Sequence, residues 1–186
     1  AYLKSKTLAE QSAWEFIDNQ EGAQLLELVT INPGPIYGPT LSGNLNGESM
    51  GMYKQLISGK MPLLPRFAIN MSDVRDVAAI HVAALKNEKA NGKRFIVSSE
   101  KAHKGVEMAE ILKENGYSKV STKLAPNFLL RFMAKFNNDL KGMLPFIGNT
   151  FNGDISETMK TFNWKPIPLE KTVLDTAKSV EEAMKK

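Results

Sequence analysis

The chain contains no cysteine. That excludes a disulfide framework, a thiolate metal site and a cysteine nucleophile. Histidine is nearly as scarce. His81 and His103 are the only two and stand far apart in sequence, so no histidine-rich metal centre is expected. No apolar run approaches the roughly 18 residues of a membrane span, and no membrane is expected as a partner. The first residues read as a polar helix rather than a basic segment before an apolar core, so no signal peptide is visible and a cytoplasmic protein is expected. Charge of one sign is not concentrated either. Lys+Arg number 24 and Asp+Glu 20, a net charge of +4, and the lysines are scattered. No arginine cluster interleaved with aromatics is present, so nucleic acid is not an expected partner. Hydrophobic residues at 42% and charged residues at 24% match an ordinary globular protein and exclude collagen-like, coiled-coil and largely disordered chains. The 186 residues suit one ordinary domain, or the larger part of a two-layer one.

What is present is an alternation of helical and extended patterns. Helices are predicted over Leu3–Asn19, Ser49–Ser58, Asp73–Lys86, Gly105–Glu114, Pro126–Phe136, Asp154–Phe162 and Leu169–Lys185. Short strands are predicted over Gln24–Ile31, read as buried, and over Ala68–Met71, Arg94–Ser98 and Val120–Leu124. Between the first helix and its successors lies Asn32-Pro33-Gly34-Pro35-Ile36-Tyr37-Gly38-Pro39, a loop with several fixed φ angles and few backbone donors. Ser72 or Asp73 can cap the Asp73–Lys86 helix, and Asp76 supplies a carboxylate to its first turn, so both acids are read as structural. Val74, Val77, Ala78, His81, Val82 and Leu85 are read as that helix's inward face, with His81 buried. Phe128, Leu129, Phe132, Met133 and Phe136 form an apolar stripe, read as core or as the wall of a substrate pocket. Trp164 is read as a plug in the C-terminal region. The alternation implies an α/β protein with a mainly parallel sheet.

Tyr2 and Lys6 stand four apart and project from one helix face. An ammonium beside a phenol favours the phenolate, and such a tyrosine can exchange a proton with a substrate oxygen. A pair at this spacing also arises by chance on solvated helices, so its neighbours matter. The order Tyr2-x-x-x-Lys6 with Thr7-Leu8-Ala9-Glu10, then Asn32–Pro39, then Asp73-Val-Arg-Asp-Val-Ala-Ala-Ile-His81, then Asp154-Ile-Ser156 with Phe162-Asn-Trp164-Lys-Pro166, resembles the extended short-chain dehydrogenase/reductase family. The match runs over nearly the whole chain and looks most like the dihydroflavonol-reductase and aldehyde/ketone-reductase branch.

The resemblance implies the C-terminal part of a Rossmann-type doubly wound parallel sheet plus a smaller helix-rich substrate-binding lobe. Residues 1–100 would belong to the dinucleotide-binding domain and 101–186 mainly to the lobe. It implies reduction of an aldehyde or ketone, with NADP favoured over NAD as cofactor and a small carbonyl compound as substrate. Tyr2 and Lys6 would be catalytic and would also touch the cofactor, together with Pro33, Gly34, Pro35 and Ile36; Ser49 is a further cofactor-contact candidate. No metal is implied. Sugar-nucleotide epimerases or dehydratases are the alternative, with Arg66 and Arg131 as groups for a diphosphate, and a non-catalytic family member with a binding role is a third reading. The family's glycine-rich turn and its serine or threonine upstream of the tyrosine are not matched here; Ser5 and Ser12 follow the tyrosine. The expectation is a C-terminal part lacking roughly one domain's worth of chain, about 150 residues. Such a piece would hold NADP(H) weakly by itself and would self-associate through the strand at 24–31 left as an edge.

Overall fold

The residues described by the computed structural model are 2–22, 25–136, 144, 147–150 and 152–185. In chain order they form α1 (Tyr2–Asp18), β1 (Thr30–Pro33), β2 (Ile36–Tyr37), α2 (Glu48–Ile57), β3 (Ala68–Ile69), β4 (Ser72–Asp73), α3 (Val74–Ala84), a 3₁₀ turn (Glu88–Ala90), β5 (Arg94–Val97), β6 (His103–Lys104), α4 (Gly105–Glu114), α5 (Asn127–Met133), α6 (Ser156–Phe162) and α7 (Leu169–Met184). The chain is an α/β protein, and its longest pairing is parallel. β1 runs beside β5 with Thr30 opposite Arg94 and Pro33 opposite Val97. β2 pairs in parallel with β4, and β3 pairs antiparallel with β6.

The faces of the β1–β5 pair are used differently. Ile31 and Val97 pack with Val77 and Ile80 of α3 and with Phe162 and Trp164. The Phe95 and Phe162 rings meet edge-on, 4.7 Å between centroids, which seats α6 on β5. Thr30, Asn32 and Arg94 instead make polar contacts with α1. The larger core lies elsewhere, where α2, α4 and α7 bury Tyr53, Leu56, Met108, Leu112, Val173, Ala177 and Val180. Val173, Ala177 and Val180 recur at four and three, so α7 turns one apolar stripe inward.

Asp73 and Asp76 divide the work at the start of α3. The Asp73 carboxylate accepts from the Arg75 backbone N–H at 2.9 Å, from Arg75 Nε at 2.8 Å and from Thr172 Oγ1 at 2.8 Å. Arg75 continues to Asp175 on α7. Burial works against the Asp73 charge, yet the Arg75 and Thr172 bonds outweigh it and hold the carboxyl below its ordinary value. Asp76 is not a cap. It is buried, accepts from Trp164 Nε1 at 2.9 Å and from the Ile167 N–H at 2.8 Å, and its carboxyl is pushed up by burial. Asp76→Ala strands two donors, and a loss of about 2–4 kcal/mol is expected in a urea titration.

Several expectations are corrected. The strand expected at 24–31 begins only at Thr30; Gln24 lies outside the described residues, and Leu25 and Leu26 are 59% and 63% exposed. Backbone bonding to β5 starts where the Gly92 N–H reaches Leu28 O and the Thr30 N–H reaches Lys93 O, and among the described residues the earlier leucines have no neighbouring strand. β1 is half-buried rather than buried. Val120–Leu124 forms no strand, only a single bridge from Leu124 to Leu64. On α3 the inward residues are Asp76, Val77 and Ile80. Val74, Ala78, Val82 and Leu85 face out with His81, whose Nδ1–H donates to Val77 O at 2.7 Å. Of the α5 stripe, Phe128 and Phe132 are exposed, as is Phe136 beyond it, Leu129 is half-buried, and the Met133 side chain lies outside the described residues; Leu130 and Ala134 are the buried residues here.

Candidate active site

α1 carries the two residues singled out first. Tyr2 is 71% exposed, and Lys6 Nζ lies 5.6 Å from the centre of its ring. That is cation–π range and fits two side chains one helical turn apart. The other three tyrosines differ. Tyr37 is buried and its phenol is pushed up to about 12 by that burial. Burial also raises Tyr53 well above its ordinary value, and raises the half-buried Tyr117. Tyr2 is thus the one exposed tyrosine of the four.

Glu10 ties α1 to the sheet. Its carboxylate accepts from Arg94 Nε at 2.9 Å, Asn32 Nδ2 at 2.7 Å and Thr30 Oγ1 at 3.1 Å. Gln20, just past the helix, exchanges two side-chain hydrogen bonds with the Leu26 backbone, at 2.7 and 2.9 Å. The end of α1 thus lies before β1 and its middle beside Thr30 and Asn32. The helix runs antiparallel to the strand. Tyr2 precedes Glu10 by two turns, a rise of about 12 Å, and about 12 Å of extended chain beyond Asn32 reaches Pro35 or Ile36. On these lengths the start of α1 extends toward the end of the sheet where β1 runs into the proline-rich loop.

The loop is held rigidly there. The Gly34 N–H donates to Val97 O at 3.4 Å, and the Ser72 N–H donates to Pro35 O at 3.0 Å. A Cβ on Gly34 would sit 1.9 Å from Asn70 O, so the backbones touch where glycine is. Gly38 has φ +129° and a Cβ there would meet Val74 Cγ1 at 2.6 Å. Pro33, Pro35 and Ile36 keep exposed apolar edges. Ser49 lies half-buried in the first turn of α2. Arg66 lines a cavity of about 280 Å³ with Phe67, Lys104, Leu124 and Thr150, whereas Arg131 lines a different opening with Lys135. The two arginines named for a diphosphate thus line different openings. Among the described residues no group of acids and histidines could hold a metal ion, and no helix is long and apolar enough to cross a membrane.

Arg94 and Asn32 were not readable as partners of the site. The one available signal was the spacing of Tyr2, Lys6 and Glu10, each four apart on one helical face. The first cause of Glu10's low value is the Arg94 hydrogen bond; together with the Asn32 and Thr30 bonds and the Arg94 charge it outweighs burial and brings the carboxyl from 4.5 to about 2. A depressed carboxylate contributes stability that is complete above its unfolded value and is lost as pH falls through its folded one. The stability difference between the wild type and Glu10→Gln is therefore expected to be full above pH 4.5 and to shrink as pH falls to about 2, read by thermal melts across that range. A difference constant with pH would contradict it.

No protein-family model matches the chain. A cinnamoyl-CoA reductase of Medicago truncatula is 30% identical over 181 residues, covering 97% of this chain and 48% of that protein. An NADPH-dependent methylglyoxal reductase of Saccharomyces cerevisiae is 33% identical over 103 residues, 53% of this chain and 30% of that protein. Among solved structures, the yeast methylglyoxal/isovaleraldehyde reductase complexed with NADPH superimposes with a TM-score of 0.74 at 22% identity, covering 97% of this chain and 55% of that one. A UDP-glucose 4-epimerase of Thermotoga maritima superimposes with a TM-score of 0.66 at 15% identity, covering 95% of this chain and 52% of that one. These two structures show the fold. The chain spans about half the length or less of the curated relatives it matches.

Proposed function

We propose that this chain, which belongs to the extended short-chain dehydrogenase/reductase family and carries the C-terminal part of its sequence, works in an NADPH-dependent reductase of aldehydes and ketones. What supports the reading is the Tyr2–Lys6 pair on α1, a helix that Glu10 ties to the strand running into the ordered Pro33–Ile36 loop. The residues present fit a nicotinamide nucleotide. Tyr2 and Lys6 offer hydrogen-bonding groups in one row, and Pro33, Pro35 and Ile36 offer an apolar edge to a flat ring. When bound, the nicotinamide supplies hydride to the carbonyl carbon. Tyr2 donates its phenolic proton to the carbonyl oxygen as charge develops there. Lys6 keeps a positive charge beside the Tyr2 ring and holds the ribose hydroxyls. The loop from Pro33 to Ile36 holds the ring, and because the prolines and the Gly34–Asn70 contact already order it, little entropy is lost on binding.

In this reading residues 1–100 form the cofactor side and 101–186 mainly the substrate side, the protein is cytoplasmic, and it forms homo-oligomers. The test is NADPH oxidation by the reductase containing this chain with a panel of aldehydes and ketones; no turnover across the panel would reject it. For the chain alone, calorimetry is expected to show NADPH binding weaker than micromolar, since the glycine-rich pyrophosphate turn is not in it. Micromolar or tighter binding would count against that. One observation favours a second reading, a sugar-nucleotide epimerase or dehydratase. Arg66 and Lys104 have no ion pair among the described residues and face the same cavity of about 280 Å³. Turnover of a nucleoside-diphosphate sugar without net NADPH consumption would decide for it.

A further inference from the structure

α1 has a peculiarity: none of its residues is buried, although it is 17 residues long. Side-chain packing therefore does little to fix its roll or its height on the sheet. The polar clamp at Glu10 does that instead. Arg94 gives Glu10 two hydrogen bonds, from Nε at 2.9 Å and from a terminal nitrogen at 3.2 Å. Thr30 and Asn32 add one each, and Trp14, one turn along α1, adds a longer one at 3.5 Å. Three of these four partners sit on β1 and β5, so one carboxylate ties the helix to both strands. Asn32 gives its amide to Glu10 while its Oδ1 is buried with no partner among the described residues. Turning the amide over would aim that oxygen at a carboxylate, so the orientation is fixed by Glu10.

We propose that Glu10 is the positioning residue of the active site, setting where α1 presents the Tyr2 hydroxyl and the Lys6 ammonium relative to the Pro33–Ile36 loop. The inference rests on the carbonyl-reductase reading. Its force comes from leverage. Tyr2 lies about 12 Å along the helix from the clamp, so a tilt of about 5° at Glu10 moves Tyr2 by about 1 Å. A misplacement of about 1 Å at reacting groups can cost about 10²-fold in rate. Glu10 touches neither the cofactor nor the reacting atoms in this arrangement; it acts through the helix.

The test pairs two measurements on Glu10→Ala, Glu10→Gln and Arg94→Ala. The first is amide hydrogen exchange along α1 in the chain itself. The second is steady-state kinetics of the reductase that contains it. Glu10→Ala is expected to speed exchange of the α1 amides by about tenfold or more while α4 and α7 keep wild-type protection. It is also expected to lower kcat by about 10–100-fold with the KM for the carbonyl substrate changed less than about threefold. Arg94→Ala should act in the same direction, and Glu10→Gln, which keeps a carbonyl oxygen for Thr30 or Asn32, should recover part of both effects. Faster α1 exchange with kcat within about twofold of wild type would overturn the proposal, leaving Glu10 a purely structural residue. Unchanged exchange would overturn it as well, because no clamp would then exist. Failure of the reductase reading has a separate signature, no NADPH turnover by the wild type across the carbonyl panel, and it leaves the exchange result standing.

Discussion

Tyr2→Phe is expected to lower kcat of the reductase by about 10²–10⁴-fold, the usual contribution of a positioned proton donor. Phenylalanine removes the hydroxyl and keeps the ring. The face that Lys6 stacks against, 5.6 Å from ring centre to Nζ, is therefore preserved. Tyr2 is exposed, so no core contact is lost. The fold, α1 included, should then be unaltered, with a melting temperature within about 2 °C of wild type. The change should fall on the chemical step: kcat and kcat/KM drop together, and the KM for NADPH stays within about threefold. The other three tyrosines are less accessible: Tyr37 and Tyr53 are buried and Tyr117 is half-buried. Retained turnover in Tyr2→Phe would remove the proposed proton donor and with it the mechanism.

The second large effect is on stability. Gly34→Ala puts a methyl group 1.9 Å from Asn70 O and 3.1 Å from Asn70 C. The obstacle is backbone, and it has no easy retreat. Asn70 Nδ2 donates to Ser99 O at 3.2 Å, the Ser72 N–H donates to Pro35 O, and Ser72 Oγ donates to Val97 O. Pro33 and Pro35 flank the glycine and restrict φ on both sides. Overpacking of this kind costs about 3 kcal/mol or more, a fall of about 6–12 °C in Tm for a chain of this size. Gly51→Ala supplies the contrast. Gly51 lies inside α2 with its nearest atom, Leu45 O, at 3.8 Å from the added Cβ. There alanine fits, and a gain of about 0.5–1 kcal/mol is expected from helix propensity. Thermal melts of the two variants should move in opposite directions. Equal shifts would mean that the Gly34–Asn70 contact is not as close as the structure has it.

Helices were the most legible part of the chain. Gly105–Glu114 was bounded by its own sequence, since Asn115-Gly116 ends it, and the last helix agrees to within a residue at its C-terminus. Asp73 was readable as a cap because an acid before an apolar-periodic run has a backbone N–H within reach two residues on. Arg94–Ser98 and the start of Ala68–Met71 fall on β5 and β3, but the other two-residue strands were not readable. β2, β4 and β6 are two residues each, and their pairing depends on which backbone passes nearby rather than on alternation. The face of α3 was misread because that helix is apolar on both sides: Val77 and Ile80 on one, Val74, Ala78, Val82 and Leu85 on the other. Periodicity marks such a helix but does not say which stripe turns in. The site divides the same way. Tyr2, Lys6 and the loop carry their chemistry in residue type and spacing. Arg94 looks like any cation before a strand until its register opposite Thr30 brings it to Glu10.

The acids that open α3 also set a schedule for the growing polypeptide. Asp76 waits for Trp164 and Ile167, 88 and 91 residues later, and Asp73 waits for Thr172, 99 residues later. At about 5–20 residues per second a ribosome needs about 4–20 s to deliver those partners. During that interval Asp76 lacks both of its protein donors and Asp73 has only Arg75, so the first turn of α3 cannot complete its contacts. Translation thus leaves the first turn of α3 short of its full set of contacts until α7 has been made. Pulse-labelled nascent chains halted before residue 164 should therefore be cut by protease near α3, and chains halted well after residue 175 should not.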